Sequence, residues 1–321
     1  MSTNYPLLTP AIIALLVASC GGGSDSGGGT TAAATTFTAQ APIAITADRS
    51  DEVVSEAVST TSGSGIDSVF RSDGASIAPS IDLPRFLNRF RSMPQQNRSL
   101  KTANRTEPAE CANNGTGTIT FTDDLTNISA TFSNCLLFGD TLNGSLSLVS
   151  STASATTSST FTFSNFSQVG SKYSLSVNGS MSEIMTEFST YDHYVINGSS
   201  IVMSINFNGR SLTLGNLNEV SDDYWSAGYE TYETSYVANS STFGGSFSVT
   251  TTQTAFENYA DSYPYAGQIV ISGASGSKVR ATSQGSGSSN GTVLIETDAD
   301  GDNTYESSET KTWAELEASL I

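Results

Sequence analysis

Apolar and polar residues alternate along most of the chain from Gly115 onward. Ser and Thr fill the polar positions, and pairs such as Gly244-Gly245 separate the alternating segments. This period of two is typical of antiparallel strands that have one buried face and one wet face. The alternating apolar positions are Ile119, Phe121, Ile128, Ala130, Phe132, Leu142, Leu146, Leu148, Phe161, Phe163, Tyr173, Leu175, Val177, Ile201, Met203, Ile205, Phe207, Phe247, Val249, Ile269, Ile271, Val293 and Ile295.

The same pattern predicts the fold class of residues 109–321. No long helical pattern interrupts the alternation, so parallel β-α-β units are not expected. We expect a mainly β fold with at least about ten strands in a large antiparallel meander, arranged as a barrel, a sandwich or one extended sheet.

A short helical and linker segment, residues 46–108, is predicted before the strands. Acidic residues after Ser50 suit a helix N-terminus, and the apolar spacing carries that helix to Val58. A second helix is predicted from Leu83 to Arg91, and Pro94 ends it. The fold is therefore a β domain with helices ahead of it.

A short repeat runs through the β region. Leu142-Asn143-Gly144-Ser145 recurs as Val177-Asn178-Gly179-Ser180, and more loosely as Ile196-Asn197-Gly198-Ser199. Asn-Gly marks either a tight turn or the start of a strand, so the repeat favours stacked hairpins without fixing their register.

The N-terminus carries an export pattern. The apolar run from Ala11 to Ala18 is too short for a membrane span, which needs about 20 residues. Val17-Ala18-Ser19-Cys20 then resembles a bacterial lipobox, in which the Cys receives lipid. We expect a lipoprotein signal peptide over 1–20, a flexible tether over 21–45, and a membrane anchor at Cys20. The alternative is an ordinary signal peptide with a chance Cys.

Charge is unevenly distributed. The formal net charge is −18, and residues 106–321 hold five Lys and Arg against 23 Asp and Glu. Such a surface repels nucleic acid and anionic lipid, so no nucleic-acid partner is expected. Six basic residues and no acid lie between Arg85 and Arg105. They fit either an anionic membrane surface or docking against the acidic β domain.

The chain has three cysteines, Cys20, Cys111 and Cys135. If Cys20 carries lipid, an oxidising compartment would pair the other two. The loop they close would contribute about 3 kcal/mol. A two-cysteine metal site has no His partner nearby, so we expect a disulfide between Cys111 and Cys135.

Three segments carry a family resemblance. Gly117-Thr118-Ile119-Thr120-Phe121, the stretch from Ala130 to Cys135, and the stretch from Leu142 to Ser145 resemble a pattern in uncharacterised β-rich outer-membrane lipoproteins of Gram-negative bacteria. The tail from Tyr263 to Asp302 resembles the same group. The resemblance implies an envelope lipoprotein. In lipoproteins of this type, Gly21 rather than Asp behind the lipidated Cys implies the outer membrane.

An acidic loop near the C-terminus is the strongest chemical motif. Carboxylates occupy positions 1, 3, 5, 9 and 12 of a twelve-residue stretch, the spacing by which an EF-hand loop surrounds Ca²⁺. The backbone carbonyl of Thr304 would serve at position 7, and Asn303 stands at position 6, where Gly is usual. The predicted ligands are Asp298, Asp300, Asp302, Thr304, Glu306 and Glu309. The alternative is a solvated acidic turn.

The flanks of this loop differ from those of an EF-hand. The segment before it has strand character, and Thr312-Trp313-Ala314-Glu315 after it has capping-box spacing. Trp313, Leu316 and Leu320 would form the apolar face of an exiting helix.

No catalytic constellation emerges. His193 is the single histidine, and Gly287-Ser288-Ser289-Asn290-Gly291 has the spacing of a nucleophile elbow without the following helix. The aromatic residues from Tyr224 to Tyr236 suit either ligand or sugar recognition or strand packing. We therefore expect a non-enzymatic envelope lipoprotein with a binding or structural role. The alternatives are a ligand-carrying accessory lipoprotein with a barrel cavity and a carboxylate-based hydrolase.

Overall fold

The computed structural model describes residues 36–58, 105–122, 126–137, 139–170, 173–207, 209–258, 263–285 and 291–319. The predicted signal peptide with Cys20, the second helix at 83–91, residues 287–290 of the elbow-like stretch and Leu320 lie outside the described residues. The basic stretch of 85–105 lies outside them except at its last residue.

Fourteen strands form one antiparallel sheet in which each strand pairs with its neighbours in the chain. The prediction of a mainly β meander is thereby confirmed, and no hydrogen-bonded pairing joins the first strand to the last in the part of the chain that is described. The strands are β1 Arg105–Pro108, β2 Thr116–Phe121, β3 Asn127–Leu137, β4 Asp140–Ala153, β5 Thr156–Val169, β6 Tyr173–Glu187, β7 Asp192–Phe207, β8 Arg210–Tyr224, β9 Tyr229–Ser240, β10 Gly245–Asn258, β11 Ala266–Ser272, β12 Lys278–Gln284, β13 Thr292–Asp298 and β14 Ser307–Thr312.

The alternation of the sequence gives the sheet an inner, buried face and an outer face. Phe161 and Phe163 of β5 point inward and are almost completely buried. Hydroxyl residues between the apolar positions face outward and pair across strands, as Thr118 and Thr131 do with their Oγ1 atoms 2.7 Å apart. The inner face therefore supplies the core, and cross-strand hydroxyl pairs line the surface.

The Asn-Gly repeat lies inside strands, at shifts in register. Pairing of β4 with β5 slips between Asn143 and Ser145, and pairing of β5 with β6 slips opposite Gly179. The Asn143 side chain accepts a hydrogen bond from the backbone N–H of Asn134 at 2.7 Å. The repeat thus marks neither tight turns nor the starts of strands. In its first two copies, the side chains of Asn143 and Asn178 accept a backbone N–H from the neighbouring strand where the β3–β4 and β5–β6 pairings shift register.

A helix, α1 (Ser50–Val58), forms where the sequence predicted it, and it packs on the inner face of the sheet. Its Val54 and Ala57 are completely buried, and the Tyr236 hydroxyl of β9 donates to the Ala57 carbonyl at 2.9 Å. The structure also buries Ile43 and Ile45, within the segment that composition assigned to the tether. The folded domain therefore includes the last residues of the segment predicted as a tether.

The predicted disulfide is present. Cys111, just before β2, is bonded to Cys135 of β3, and their Cα atoms lie 5.1 Å apart. Cys135 is completely buried. The bond ties the first strands of the sheet together.

A short helix, α2 (Trp313–Ala318), follows β14. The predicted capping box is confirmed, because Glu315 Oε2 accepts from the Thr312 N–H at 2.7 Å and Thr312 Oγ1 accepts from the Glu315 N–H at 3.2 Å. Trp313 and Leu316 are buried as predicted, and the Trp313 ring stacks on that of Tyr263. In the described part of the chain, no helix has the length and apolar character of a membrane span.

Candidate functional site

The acidic loop connects β13 to β14 at one end of the sheet. Asp298 is the last residue of β13, and β14 begins at Ser307. The Glu306 N–H donates to the Thr297 carbonyl at 3.0 Å, which closes the hairpin. The loop residues between these points are consequently held at both ends by a strand pair.

Four of the six predicted ligands converge in this loop. One carboxylate oxygen from each lies within 4.8 Å of the others, with Asp298 buried and the rest exposed. The converging residues are Asp298, Asp300, Asp302 and Glu306. A cluster of hard oxygen ligands at this spacing has the chemistry that Ca²⁺ prefers.

Asp298 is the buried anchor of the cluster. Its Oδ1 accepts from the Gly301 N–H at 2.7 Å, and its Oδ2 accepts from the Asn303 N–H at 3.0 Å. Burial opposes ionisation of this carboxyl, but the two N–H donors and the Lys278 ammonium outweigh burial and lower the pKa below its usual value. Asp298 therefore stays charged.

Two residues bend the loop backbone. Asn303 has φ 74°, the left-handed conformation that position 6 of a calcium loop requires and that Asn tolerates better than most residues. Gly301 has φ 79°, and a Cβ atom there would lie 2.5 Å from the Ser275 carbonyl oxygen. Only glycine allows this close contact with the turn at residues 274–276.

The remaining two predicted ligands are Thr304, whose expected ligand atom is its backbone carbonyl oxygen, and Glu309. The Thr304 N–H donates to Asp302 Oδ1 at 2.7 Å. Glu309 lies on β14 opposite Ile295, with its Oε2 3.1 Å from Lys311 Nζ, and it is outside the converging group. An extended chain rises about 3.3 Å per residue, so a strand carries Glu309 away from the loop, whereas the helix of an EF-hand would return it.

Basic side chains from β12 flank the loop. Lys278 is paired with Asp298 across β12 and β13, and its Nζ lies 3.3 Å from Asp298 Oδ2 and 2.6 Å from Asn303 Oδ1. Arg280 binds Glu296 at 2.7 Å and lies over the Tyr305 ring at 4.1 Å. Lys278 therefore offsets part of the negative charge of the cluster and would compete with a cation there.

His193 forms a polar pair on the outer face. Its Nδ1 lies 2.7 Å from Asp222 Oδ1, directly across from it on β8. No Ser or Thr hydroxyl among the described residues is hydrogen-bonded to this ring. The pair therefore lacks the nucleophile that a catalytic triad requires.

An apolar pocket opens beside α1 and α2. Val58, Tyr232, Pro264, Ile269 and Trp313 contribute to its lining, and its cavity volume is about 30 Å³. That volume holds about two water molecules, whereas sites for drug-sized ligands measure about 300–1,000 Å³.

An aromatic ladder, which the sequence did not predict, runs across strands at one end of the sheet. Neighbouring rings lie 4.6–6.5 Å apart, and the first three contacts are stacked. The ladder consists of Phe188, Tyr191, Tyr224, Tyr229, Phe256 and Tyr265. Phe188 of the ladder and Trp225, which follows Tyr224 in the chain, are exposed by 47% and 53%.

An acidic row crosses the same end of the sheet, one residue farther in. Each member of the row is paired with the next across adjacent strands, from β6 to β10. The side chains of the row point to the opposite face of the sheet from those of the ladder. The row consists of Glu187, Asp192, Asp223, Glu230 and Glu257. Burial and then the Glu187 carboxylate raise the pKa of Asp192, as expected when like charges lie opposite each other. The aromatic ladder and the acidic row both depend on the register between several neighbouring strands. The sequence pattern of a single strand does not specify that register.

Comparison with known proteins identifies no relative. No protein-family model matches the chain, and neither a curated protein nor a solved structure is significantly similar to it.

Proposed function

We propose that this protein is an exported lipoprotein of the Gram-negative outer membrane with a binding or structural role, and that its C-terminal loop binds Ca²⁺. In this proposal lipid on Cys20 anchors the chain, and the role requires no catalysis. The ion would stiffen the β13–β14 hairpin.

The convergence of four carboxylates carries the calcium proposal. Asp298, Asp300, Asp302 and Glu306 bring oxygens within 4.8 Å of one another. Each carboxylate that accepts a backbone N–H keeps further lone pairs for a metal, and water can complete a shell of six to eight oxygens. The positive φ of Asn303 also favours the proposal, because it is the backbone shape of a calcium loop.

Thermal unfolding in Ca²⁺ and in chelator tests the calcium proposal. An ion that binds only the folded chain stabilises it by about 2.7 kcal/mol at a free concentration 100 times its Kd. We expect a higher melting temperature in Ca²⁺ for the wild-type chain and a much smaller rise for Asp300→Asn, whose side chain is exposed.

Glu309→Gln is the matched control. It removes one predicted ligand charge that lies outside the converging group. The proposal expects this variant to keep most of the calcium response. Equal responses from wild type and Asp300→Asn would contradict it.

Mass spectrometry of the full chain from a Gram-negative host tests the anchor. We expect cleavage before Cys20 and a mass that includes fatty acid, and we expect Cys20→Ser to lose that mass and fractionate away from membranes. An unacylated wild-type chain would contradict the lipoprotein proposal and leave the calcium test unaffected.

A further inference from the structure

Two further carboxylates lie on the inner face of the sheet, deeper than the acidic row. Glu183 of β6 and Glu219 of β8 both pair with Ile196 of β7, four residues along the strands from the row. They are exposed by only 4% and 3%, and Glu257 of the row is equally buried. Together with the five members of the acidic row, they place seven carboxylates on the inner face of β6 to β10.

This concentration of negative charge requires positive charge close to it. Taking a carboxylate out of water is unfavourable unless a cation and hydrogen bonds compensate for the lost hydration, and like charges opposite each other on paired strands are destabilising. The strand-borne cations Lys278, Arg280 and Lys311 already bind carboxylates of their own strand or of the next one. Positive charge for the inner face of β6 to β10 therefore has to come from outside strands β12 to β14.

The basic stretch of residues 85–105 is the most concentrated source of positive charge in the chain. It holds six of the 13 Lys and Arg residues and no acid. A run of cations and a face of carboxylates are complementary, and such complementarity fixes which surfaces meet. The charge pattern therefore matches this stretch to the acidic inner face.

The connectivity of the chain allows this contact. Val58, at the end of α1, lines the same pocket as Tyr232, which lies on the inner face two residues along β9 from Glu230 of the acidic row. Helix α1 therefore ends on the inner face, beside the row. An extended chain from Arg91 to Arg105 spans about 46 Å, whereas the strand spacings from β1 to β7 add up to about 29 Å. The stretch is therefore long enough to reach the carboxylates before it enters β1.

An anionic membrane fits the basic stretch less well. Residues 106–321 hold 23 Asp and Glu against five Lys and Arg, so the domain to which the stretch is joined repels anionic lipid. Charges are screened beyond about 8 Å at physiological salt. The carboxylates of the same chain therefore have the advantage of proximity over lipid headgroups.

We propose that the basic stretch of residues 85–105 docks within its own chain on the acidic inner face of β6 to β10, with its guanidinium groups against Glu183, Glu219 and the acidic row. The stretch is then unavailable to anionic lipid. The inference is independent of the calcium site and of lipidation, because it uses neither the acidic loop nor Cys20.

Carbodiimide crosslinking of the full chain carrying Cys20→Ser tests this contact. The reagent joins an amine to a carboxylate that it touches, so Arg85→Lys, Arg89→Lys and Arg91→Lys are each introduced alone. We expect at least one of the new lysines to be joined, within one chain, to a carboxylate of the acidic row, in which Glu187 is exposed to the reagent. Mass spectrometry of the joined peptides identifies the pair.

The sheet supplies both controls for the crosslinking. Lys278 should be joined to Asp298 in every sample, because its Nζ lies 3.3 Å from Asp298 Oδ2. Glu233 accepts from the Thr254 hydroxyl on the outer face. None of the new lysines should be joined to Glu233.

Charge reversal provides a second measurement. Replacing Arg85, Arg89 and Arg91 together with Glu should lower the melting temperature by about 5–10 °C, because it places further negative charge against carboxylates. Glu219→Gln in that background should recover part of the loss. Glu233→Gln is the matched control, since it removes a carboxylate from the other face of the sheet, and it should recover none.

Three results would overturn the inference. The first is the absence of an intrachain crosslink from all three lysines while Lys278 and Asp298 are joined, together with an unchanged melting temperature after charge reversal. The second is crosslinking between two chains only, which would assign the acidic face to a second copy. The third is retention of the Cys20→Ser chain on phosphatidylglycerol vesicles but not on phosphatidylcholine vesicles, which would assign the basic stretch to a membrane.

Discussion

The Ser240 hydroxyl of β9 lies 2.8 and 3.0 Å from the two carboxylate oxygens of Glu56, in the buried contact between α1 and the sheet. Glu56 is completely buried. Burial raises the pKa of Glu56 to about 7, although the Ser240 hydrogen bond and Arg210 lower it and Glu52 raises it. A carboxyl group that titrates near neutral pH therefore links helix α1 to strand β9.

Glu56 makes stability depend on pH. Its pKa is higher in the folded chain than the usual 4.5, so its stabilising contribution is complete below about pH 4.5 and is lost as pH rises through about 7. We expect Glu56→Gln to be more stable than wild type at pH 8 by about 3 kcal/mol, and the difference to shrink at pH 5. Urea unfolding at both pH values measures it.

Glu52→Gln is the control for this prediction, because Glu52 is exposed on the same helix and has the smallest of the four effects on the pKa of Glu56. It should leave the pH dependence close to that of wild type. A Glu56→Gln variant whose stability relative to wild type is the same at pH 5 and pH 8 would contradict the shifted pKa.

Gly301 is expected to be intolerant of a side chain. Gly301→Ala places a Cβ atom 2.5 Å from the Ser275 carbonyl oxygen and also imposes a φ of 79° on a non-glycine residue. The backbone conformation alone costs about 1–2 kcal/mol. Gly244→Ala has a φ of 67° in open space and isolates that cost. Denaturant unfolding should show a larger loss for Gly301→Ala, and equal losses would show that the contact with the turn at 274–276 is unimportant.

Lys278 is expected to weaken calcium binding. Its ammonium lies 3.3 Å from Asp298 Oδ2, so Lys278→Gln removes a competing positive charge. We expect Ca²⁺ to bind about tenfold more tightly, a change typical of one neighbouring charge. Arg280→Gln is the control, because that guanidinium binds Glu296. Weaker binding by Lys278→Gln would indicate that Lys278 organises the loop and does not compete.

The disulfide is expected to contribute substantially to stability. Replacing Cys111 and Cys135 with Ala frees a segment with a sequence separation of 24 residues. The expected loss is about 3 kcal/mol, seen as a lower urea midpoint. Reduction of the wild-type chain with dithiothreitol should reproduce it, and an unchanged midpoint in both cases would show that the sheet does not depend on the crosslink.

Local sequence patterns predicted the strands and the helix cap, but they did not predict how the strands align with one another. Alternation at Phe161 and Phe163 predicted a buried strand face, and the Thr312–Glu315 spacing predicted a cap. Both depend on a few neighbouring residues. The place of the Asn-Gly repeat at register shifts depends on partner strands, as does the aromatic ladder.

The acidic loop was likewise predicted only in part. The spacing of the carboxylates was enough to predict that Asp298, Asp300, Asp302 and Glu306 converge, because a tight loop turns alternate side chains inward. The spacing could not place Glu309, since a strand rather than a helix follows the loop.

A calorimetric titration of the full chain with Ca²⁺ at pH 7, after chelator treatment, tests the proposed site most directly. We predict one ion bound per chain, and much weaker binding by Asp298→Asn and by Asp300→Asn. No saturable heat with the wild-type chain, or equal binding by wild type and Asp300→Asn, would contradict a calcium site at residues 298–306.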